Sequence, residues 1–539
     1  MRRAAPAPML RALAPHAVRA VLADGQELAL VDLREELIFS ERHLLWARSV
    51  PLSRLELKFA RLVPRQNTRI VLCDDADGLV ERAGKILSDA GYTNLSYLEG
   101  GVAAWAEAGL ELFAGVNVPS KAFGEFVEHA NKTPSIAADE LDRRIRAGDD
   151  MVVLDSRPFD EFFRVSIPTA INVPGAELVL RLRDVAPSPD TLVVVNCAGR
   201  TRSIIGAQSL INAGVPNKVV ALRNGTMGWQ LAGLACESGK NRRISHISSE
   251  GLSWASAAAQ RVASRYQIER IDEKTLNRWY LDPDRTLYIF DVRDPSEYEV
   301  AHIAHAISAP GGQLVQATDQ FVGTLGARIV LVDDAAVRAI MTASWLRQMG
   351  WKDVFVFVAD RYVEYDEGYE MGWPVDPILG SDPPPEFAIE CGELSEHLAR
   401  NEATVIDLSL SRNYRSEHIT GAWFAIRSRL ALALPKISLC GEVVLTSENG
   451  VLAGLAVPEA RALTNLPVRY LKGENSAWWA AKYPLSKDAR MADDPVDVWL
   501  KPYERPGDTA GAMSDYLSWE TDLLARIERD GSCNFTAMR

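Results

Sequence analysis

The sequence predicts an α/β protein of four tandem units, each a mainly parallel β-sheet flanked by helices on both faces. Two observations carry this reading: a pattern that recurs four times, and a fixed spacing inside it. Repeats are sought first because a missed period mis-assigns the whole fold. Each copy opens with an amphipathic helical stretch and then a short apolar run ending in Asp. These are Asp32 in ALVDLREEL, Asp155 in MVVLDSRPF, Asp291 in LYIFDVRDP and Asp407 in TVIDLSLSR. Arg follows two residues later in three copies, as Arg34, Arg157 and Arg293, and Ser409 takes that place in the fourth.

About ten residues on comes a turn with a short strand-like piece: RHLLWARSVPLS, VSIPTAINVPG, AHIAHAISAPG and EHITGAWFAI. A second β-branched run follows in TRIVLCDD, TLVVVNCA, ARIVLVDD and GEVVLTSE, then a helix. A third short strand is clearest in LSYLEGG, VVALRNG and VRYLKGE, with Trp105, Trp229 and Trp479 at similar offsets and Trp373 at a looser one. The interval from the first Asp to the residue ending the second strand is 42 for Asp32 to Asp74, Asp155 to Cys197 and Asp291 to Asp333. From Asp407 to Ser447 it is 40, so the fourth copy has a shorter loop. Strands alternating with helical patterns imply βαβ units and a parallel sheet covered on both faces. Ligands bind such sheets at the carboxyl ends of strands, which is where Asp74, Cys197, Asp333 and Ser447 fall.

The units run over about 10–115, 133–238, 267–377 and 387–487, and a helical tail follows over 488–539. The connectors VNVPSKAFGEF, SGKNRRISHISSEG and GSDPPPEF have the prolines and polar residues of linkers. In the tail, SDYLSWETDLLARIERDG reads as one amphipathic helix with Leu517, Leu524 and Ile527 on a common face, packing back on a neighbouring unit. A chain of 539 residues has room for several domains, each with its own core.

Composition narrows the function classes. Apolar residues make up 47% and charged ones 24%, the ordinary mixture of a folded globular protein. The net charge of −13 argues against a nucleic-acid or anionic-membrane partner. No run of about 18 apolar residues marks a membrane span. Pro6, Pro8, Arg11 and Pro15 break the apolar stretch at the start, so no signal peptide is expected. Six scattered cysteines without a CxxC pair predict neither zinc nor a disulfide framework, and fit a reducing cytoplasm. No cofactor is expected.

The chemistry is read from the second unit. The strand TLVVVN delivers Cys197, then AGRTR, then the helix SIIGAQSLINAG. A cysteine between a strand end and a helix amino end faces unpaired N–H groups and the positive end of the helix dipole, both of which favour the thiolate. Arg200 and Arg202 add positive charge, and the thiolate is the nucleophilic form. A lone cysteine after three valines is ordinarily a core residue. Here it ends the strand, a Gly-containing loop follows, and two arginines lie within five residues.

CAGRTRS resembles the active-site loop of the rhodanese family of sulfurtransferases. Asp155-Ser156-Arg157, Glu161, Ile171-Asn172-Val173-Pro174, Arg223-Asn224-Gly225 and Trp229 match the rest of that domain pattern. The resemblance implies four tandem rhodanese-like domains with one complete site. Cys197 is then the catalytic nucleophile, taking a sulfane sulfur from thiosulfate or a small persulfide and passing it to cyanide, a thiol or a sulfur-acceptor protein. The loop residues Ala198, Gly199, Arg200, Thr201 and Arg202 bind the substrate together with Arg157, and Asp155 orients the loop. Salt bridging to Asp155 or Glu161 is the competing role for the arginines, above all for Arg157. One departure is plain: the family's Gly-His-Ile-Pro-Gly-Ala reads Val165-Ser166-Ile167-Pro168-Thr169-Ala170 here.

The other units lack the constellation. Asp333 and Ser447 stand in the nucleophile's place, and Cys73 lies one residue before the aligned Asp74, beside the acidic loop DDADG. Cys73 is therefore expected in the core, and units one, three and four as inactive copies. A Cys-dependent phosphatase encloses five residues between Cys and Arg, whereas Cys197 and Arg202 enclose four and Ser203 holds the next place. A 3-mercaptopyruvate sulfurtransferase typically reads Cys-Gly-x-Gly-Val-Thr, without the two arginines. A non-catalytic sulfur-relay or scaffold protein is the alternative from a different class.

Overall fold

The computed structural model describes residues 10–244, 246–359, 368–448 and 450–537. Arg2, Arg3, Pro6 and Pro8 of the opening stretch lie outside them, as do residues 360–367 of unit three. Among the described residues the chain forms four sheets of five or six strands. In unit two the order is Ser135–Ile136, Val219–Leu222, Leu192–Asn196, Met151–Asp155, Ile171–Asn172, every pair parallel. Units one and three repeat that order with five parallel strands each. Unit four repeats it and gains a sixth strand, Arg490–Met491, from the opening of the tail. The central strands are near-continuous β-branched runs because both of their faces are covered by helices.

Strand register explains the spacing seen in the sequence. Asp32 pairs with Cys73, Asp155 with Asn196, Asp291 with Val332 and Asp407 with Thr446. The residue after each partner is Asp74, Cys197, Asp333 or Ser447, so all four occupy one topological place at the end of the second strand. The two-residue deficit of unit four leaves this register intact and falls in the connection between the strands.

Three Asp–Arg pairs recur almost atom for atom. Arg34, Arg157 and Arg293 reach back to Asp32, Asp155 and Asp291 at 2.6, 2.7 and 2.6 Å. Each also donates to the carbonyl eight residues on, Arg42, Val165 or Ala301. In unit four Asp407 accepts instead from the Ser409 amide and from Asn475.

The structure departs from the sequence pattern at several places. The buried indole of unit four is Trp478, 2% exposed, while Trp479 is 57% exposed. Trp105, Trp229 and Trp478 each donate Nε1–H to the carbonyl six residues ahead. Trp373 is 55% exposed and is no counterpart of these three. The connector VNVPSKAFGEF is no linker: it begins the helix Val118–Asn131, most of whose residues are buried, and Pro119 sits in the first turn where no amide hydrogen is needed. Ser249–Tyr266 is likewise a helix, capped by the Ser248 hydroxyl on the Gly251 amide.

That second helix packs between units two and three. Ala255, Ala258 and Val262 join Leu178, Ile204 and Leu210 of unit two and Leu331, Ile340 and Trp345 of unit three in one apolar core. The two units therefore share a core on this side of their sheets, while each keeps one of its own on the other. The tail helix Thr509–Asp530 does pack back on the body, but it buries Leu523 and leaves Leu524 half-buried. Both leucines flank the same stripe, and the side that meets Val118 and Ala122 of the Val118–Asn131 helix is the one buried. No helix among the described residues is long and apolar enough to cross a membrane.

Candidate active site

Cys197 leaves the strand Leu192–Asn196 and is followed, after a tight loop, by the helix Thr201–Ala213. The loop's shape is imposed by the short helix Gly225–Leu231, whose first amides take its carbonyls: Thr226 N–H donates to Cys197 O at 2.8 Å and Met227 N–H to Ala198 O at 2.9 Å. Because each peptide is planar with N–H opposite C=O, carbonyls held on that side turn loop amides toward the other. Gly225 makes this approach possible. It adopts φ +55°, and a Cβ there would stand 2.3 Å from Cys197 O.

Behind the loop, Asn196 Nδ2 donates to Asp155 Oδ2 at 3.0 Å and to Thr226 Oγ1 at 3.2 Å. Asp155 is thus tied to the residue preceding Cys197. Cys197 is 2% exposed, and its Sγ lies 3.5 Å from Ser203 Oγ, which donates in turn to Arg200 O at 2.8 Å.

Cys197 to Arg202 form the floor of a cavity of ≈ 270 Å³. Its walls come from elsewhere in the chain: Asn117 and Lys121 from the Val118–Asn131 region, Gln313 and Gln316 from unit three, and Lys501, Tyr503, Tyr516 and Glu520 from the tail. Glu161, Met227 and the loop itself belong to the local pattern of unit two. The rest are brought in by packing between units.

The three arginines singled out in the sequence have different surroundings. Arg157 does not line the cavity. Its guanidinium is occupied by Asp155 and the Val165 carbonyl, the same bridge that units one and three build without a cysteine in this place. Arg200 lines the cavity but spends its guanidinium on Glu125 at 2.7 Å, Glu128 and Asn224. Arg202 faces the loop, paired with Glu161 at 2.9 Å and donating to Gln313 at 3.0 Å. Burial would push Glu161 up, but Arg202, Lys501 and Arg157 prevail and hold it at about 2.

The other units show what the equivalent place does without Cys197. Asp74 accepts the amides of Ala76 at 2.9 Å and Val80 at 3.1 Å. Asp333 accepts the Arg338 amide at 2.8 Å and pairs with the Arg338 guanidinium at 3.0 Å. In unit four Glu474 accepts the Ala453 amide at 3.2 Å and the Ser447 hydroxyl. A carboxylate of the protein thus fills the helix end in all three. In unit two Glu520 meets the Thr201 hydroxyl at 3.5 Å instead of an amide.

The remaining cysteines have other surroundings. Cys73 is fully buried in the strand, and burial, then Asp32 and Asp74, push its thiol far up. Burial also raises Cys236, Cys391 and Cys533. Cys440 bonds to Thr404 and the Ala403 carbonyl away from any such loop.

The description "Rhodanese-like domain" matches residues 14–108, 137–232 and 274–360, more than half of the chain. The chain belongs to the rhodanese-like family. A crystal structure of a thiosulfate sulfurtransferase from Pseudomonas aeruginosa is 45% identical, covering 98% of this chain and 100% of that one, with a TM-score of 0.94. An HTH-type transcriptional regulator of Mycobacterium tuberculosis is 34% identical over 105 residues, 20% of this chain and 45% of the regulator. An uncharacterized protein of Synechocystis is 37% identical over 90 residues, 17% of this chain and 49% of that protein. The chain spans about half the length of these curated relatives.

Against the rhodanese pattern, the missing histidine of unit two has a structural explanation. Units one, three and four keep it as His43, His302 and His418, each stacked on the aromatic ring four residues earlier. In unit two Ser166 takes its place, bridging to Glu237 and lying off the Cys197 cavity. That position does not line the Cys197 cavity.

Proposed function

We propose that this protein is a sulfurtransferase that carries a sulfane sulfur on Cys197. The observation that carries the reading is the contrast between units: the helix end held by Asp74, Asp333 or Glu474 elsewhere is left in unit two for the sulfur of Cys197 and its ligand. The Cys197 thiolate attacks the outer sulfur of thiosulfate, the S–S bond breaks, and sulfite leaves with the bonding pair. The product is a Cys197 persulfide anion, cradled by the amides from Ala198 to Arg202. Cyanide or a thiolate then attacks the terminal sulfur, and the bonding pair returns to Cys197 as thiolate.

In this reading Arg202 is the loop arginine that faces substrate. Arg157 and Asp155 position the loop through Asn196, with Arg157 withdrawn from substrate contact. Likeness to the Pseudomonas thiosulfate sulfurtransferase along nearly the whole chain supports thiosulfate as donor. The repeated sheet order supports reading residues 387–487 as a fourth rhodanese-like domain beside those at 10–115, 133–238 and 267–377. Units one, three and four then serve as scaffold, and unit three and the tail complete the cavity. Six cysteines without a disulfide suit a reducing, cytoplasmic setting.

Incubation with thiosulfate followed by intact mass measurement tests this. Gain of one sulfur, lost in Cys197→Ala, is expected, with thiocyanate released on addition of cyanide. No gain, or a gain that survives the substitution, overturns the assignment.

A further inference from the structure

We propose that Lys501, carried to the site by the segment that follows unit four, is the cation that holds the anionic end of the sulfur donor over Cys197. The proposal rests on the reading of Cys197 as the sulfur acceptor, and it makes the tail the part of the chain that selects the donor.

Four cations line the cavity: Lys121, Arg200, Arg202 and Lys501. Three are already committed. Arg200 lies between Glu125 and Glu128, and its side chain is 10% exposed. Arg202 makes two bonds to Glu161 and a third to Gln313. Lys121 is buried against Tyr516 and Glu520. Lys501 differs, with a side chain 38% exposed and a long 3.4 Å contact to Glu161 Oε1, an oxygen that Arg202 also uses. Its other neighbour is Tyr503, met at the hydroxyl and with its ring centre 5.8 Å away. An ammonium carries three donors, and the one that remains can turn to an anion in the cavity.

The backbone beneath Lys501 is fixed by hydrogen bonds on both sides. Its amide donates to Glu504 Oε2 at 3.1 Å, closing a short turn. Upstream, the Trp499 amide donates to Glu36 at 3.3 Å, and Asp497 accepts the Ser411 amide at 2.6 Å. The segment is therefore strapped across units four and one before it reaches unit two. A charge delivered on such a support is pre-organised, and little ordering is left to be done on binding.

The charge balance selects an anion. Glu161, held at about 2, stays ionised and offsets one of the two positive charges of Arg202 and Lys501. Among these three groups one positive charge is left on the cavity wall. Thiosulfate presents its charged sulfonate oxygens there while its outer sulfur meets the thiolate.

Binding and turnover test this separately. Thiosulfate binding to the full-length Cys197→Ala protein is measured by calorimetry with and without Lys501→Ala. A tenfold or greater loss of affinity is expected, with Lys501→Arg within threefold of the parent. In the protein with Cys197 intact, Lys501→Ala should raise KM for thiosulfate by a similar factor while kcat stays within threefold. The preference for thiosulfate over methanethiosulfonate, whose sulfonyl end bears no net charge, should narrow. Unchanged thiosulfate affinity, or an equal loss for both donors, overturns the proposal. Sulfur uptake read by intact mass tells the two readings apart. Uptake whose dependence on thiosulfate concentration is the same with and without Lys501 strikes this proposal alone, and Lys501-dependent binding without uptake strikes the Cys197 reading alone.

Discussion

Asp74 Oδ2 accepts the backbone N–H of Val80 at 3.1 Å, so unit one supplies its own anion where unit two presents Cys197. Cys73, one residue earlier, points into the sheet's core with its thiol pushed far up, first by burial and then by Asp32 and Asp74. Cys73→Ala should therefore leave thiosulfate-dependent sulfur uptake within twofold of the parent, and Cys197→Ala should abolish it. Brief treatment of the native protein with iodoacetamide, followed by peptide mapping, should modify Cys197 and spare Cys73. Labelling of Cys73 at a comparable rate contradicts the assignment.

The pairing of Glu161 with Arg202 gives a pH dependence of definite sign. Glu161 titrates at about 2 in the folded protein against 4.5 ordinarily, so its ionised form stabilises the fold at every pH above about 4.5. That contribution, up to about 3 kcal/mol, is lost as pH falls through about 2. Glu161→Gln should thus lower the unfolding midpoint at pH 7, and the gap from the parent should close between pH 4.5 and pH 2. Urea titrations across that range check it, and a gap independent of pH rules it out.

Glu35 shows the opposite sign. It is buried between units one and four, accepting from Ser53 at 3.0 Å and Ser428 at 2.7 Å, and burial raises it to about 7. A folded-state value above the unfolded one means that stability is greatest below about 4.5 and declines as pH rises through 7. Glu35→Gln removes the ionisation and should raise Tm at pH 8 by an amount that vanishes at pH 4. Calorimetric scans at the two values suffice, and no gain at pH 8 refutes the prediction.

What could be read beforehand follows from the range of the forces involved. A buried parallel strand must be a β-branched run, and an Asp at its end with Arg two residues on closes a bridge within one turn, so local sequence displays both. The 42-residue interval displays strand register for the same reason. Lys121, Gln313, Lys501 and Glu520 reach Cys197 through the packing of other units and the tail, and no local pattern marks them. A proline in a linker and one in a helix's first turn, the place of Pro119, look alike in sequence, and only the buried face of Val118, Ala122 and Phe123 separates them. Arg157 is ambiguous in sequence for a related reason. One copy cannot separate a substrate arginine from a structural one, whereas the identical bridges of Arg34 and Arg293 can.

The adjacent indoles of unit four offer the sharpest test of the fold. Trp478 sits in the core with Ile389, Leu394, Val405 and Leu471 and donates to the Pro484 carbonyl at 3.0 Å, while Trp479 points to solvent. Trp478→Ala leaves a large cavity and an unpaired carbonyl, a loss of about 3–5 kcal/mol for unit four. Trp479→Ala removes an exposed ring and should cost about 0.5 kcal/mol or less. Because the chain has several units, the quantity to follow is the unfolding of unit four itself, read by limited proteolysis within residues 387–487 under increasing urea. Earlier cleavage in the Trp478 variant with parental behaviour in the Trp479 variant is expected. The reverse order would show that the helix Glu474–Ala480 presents its other face to the sheet.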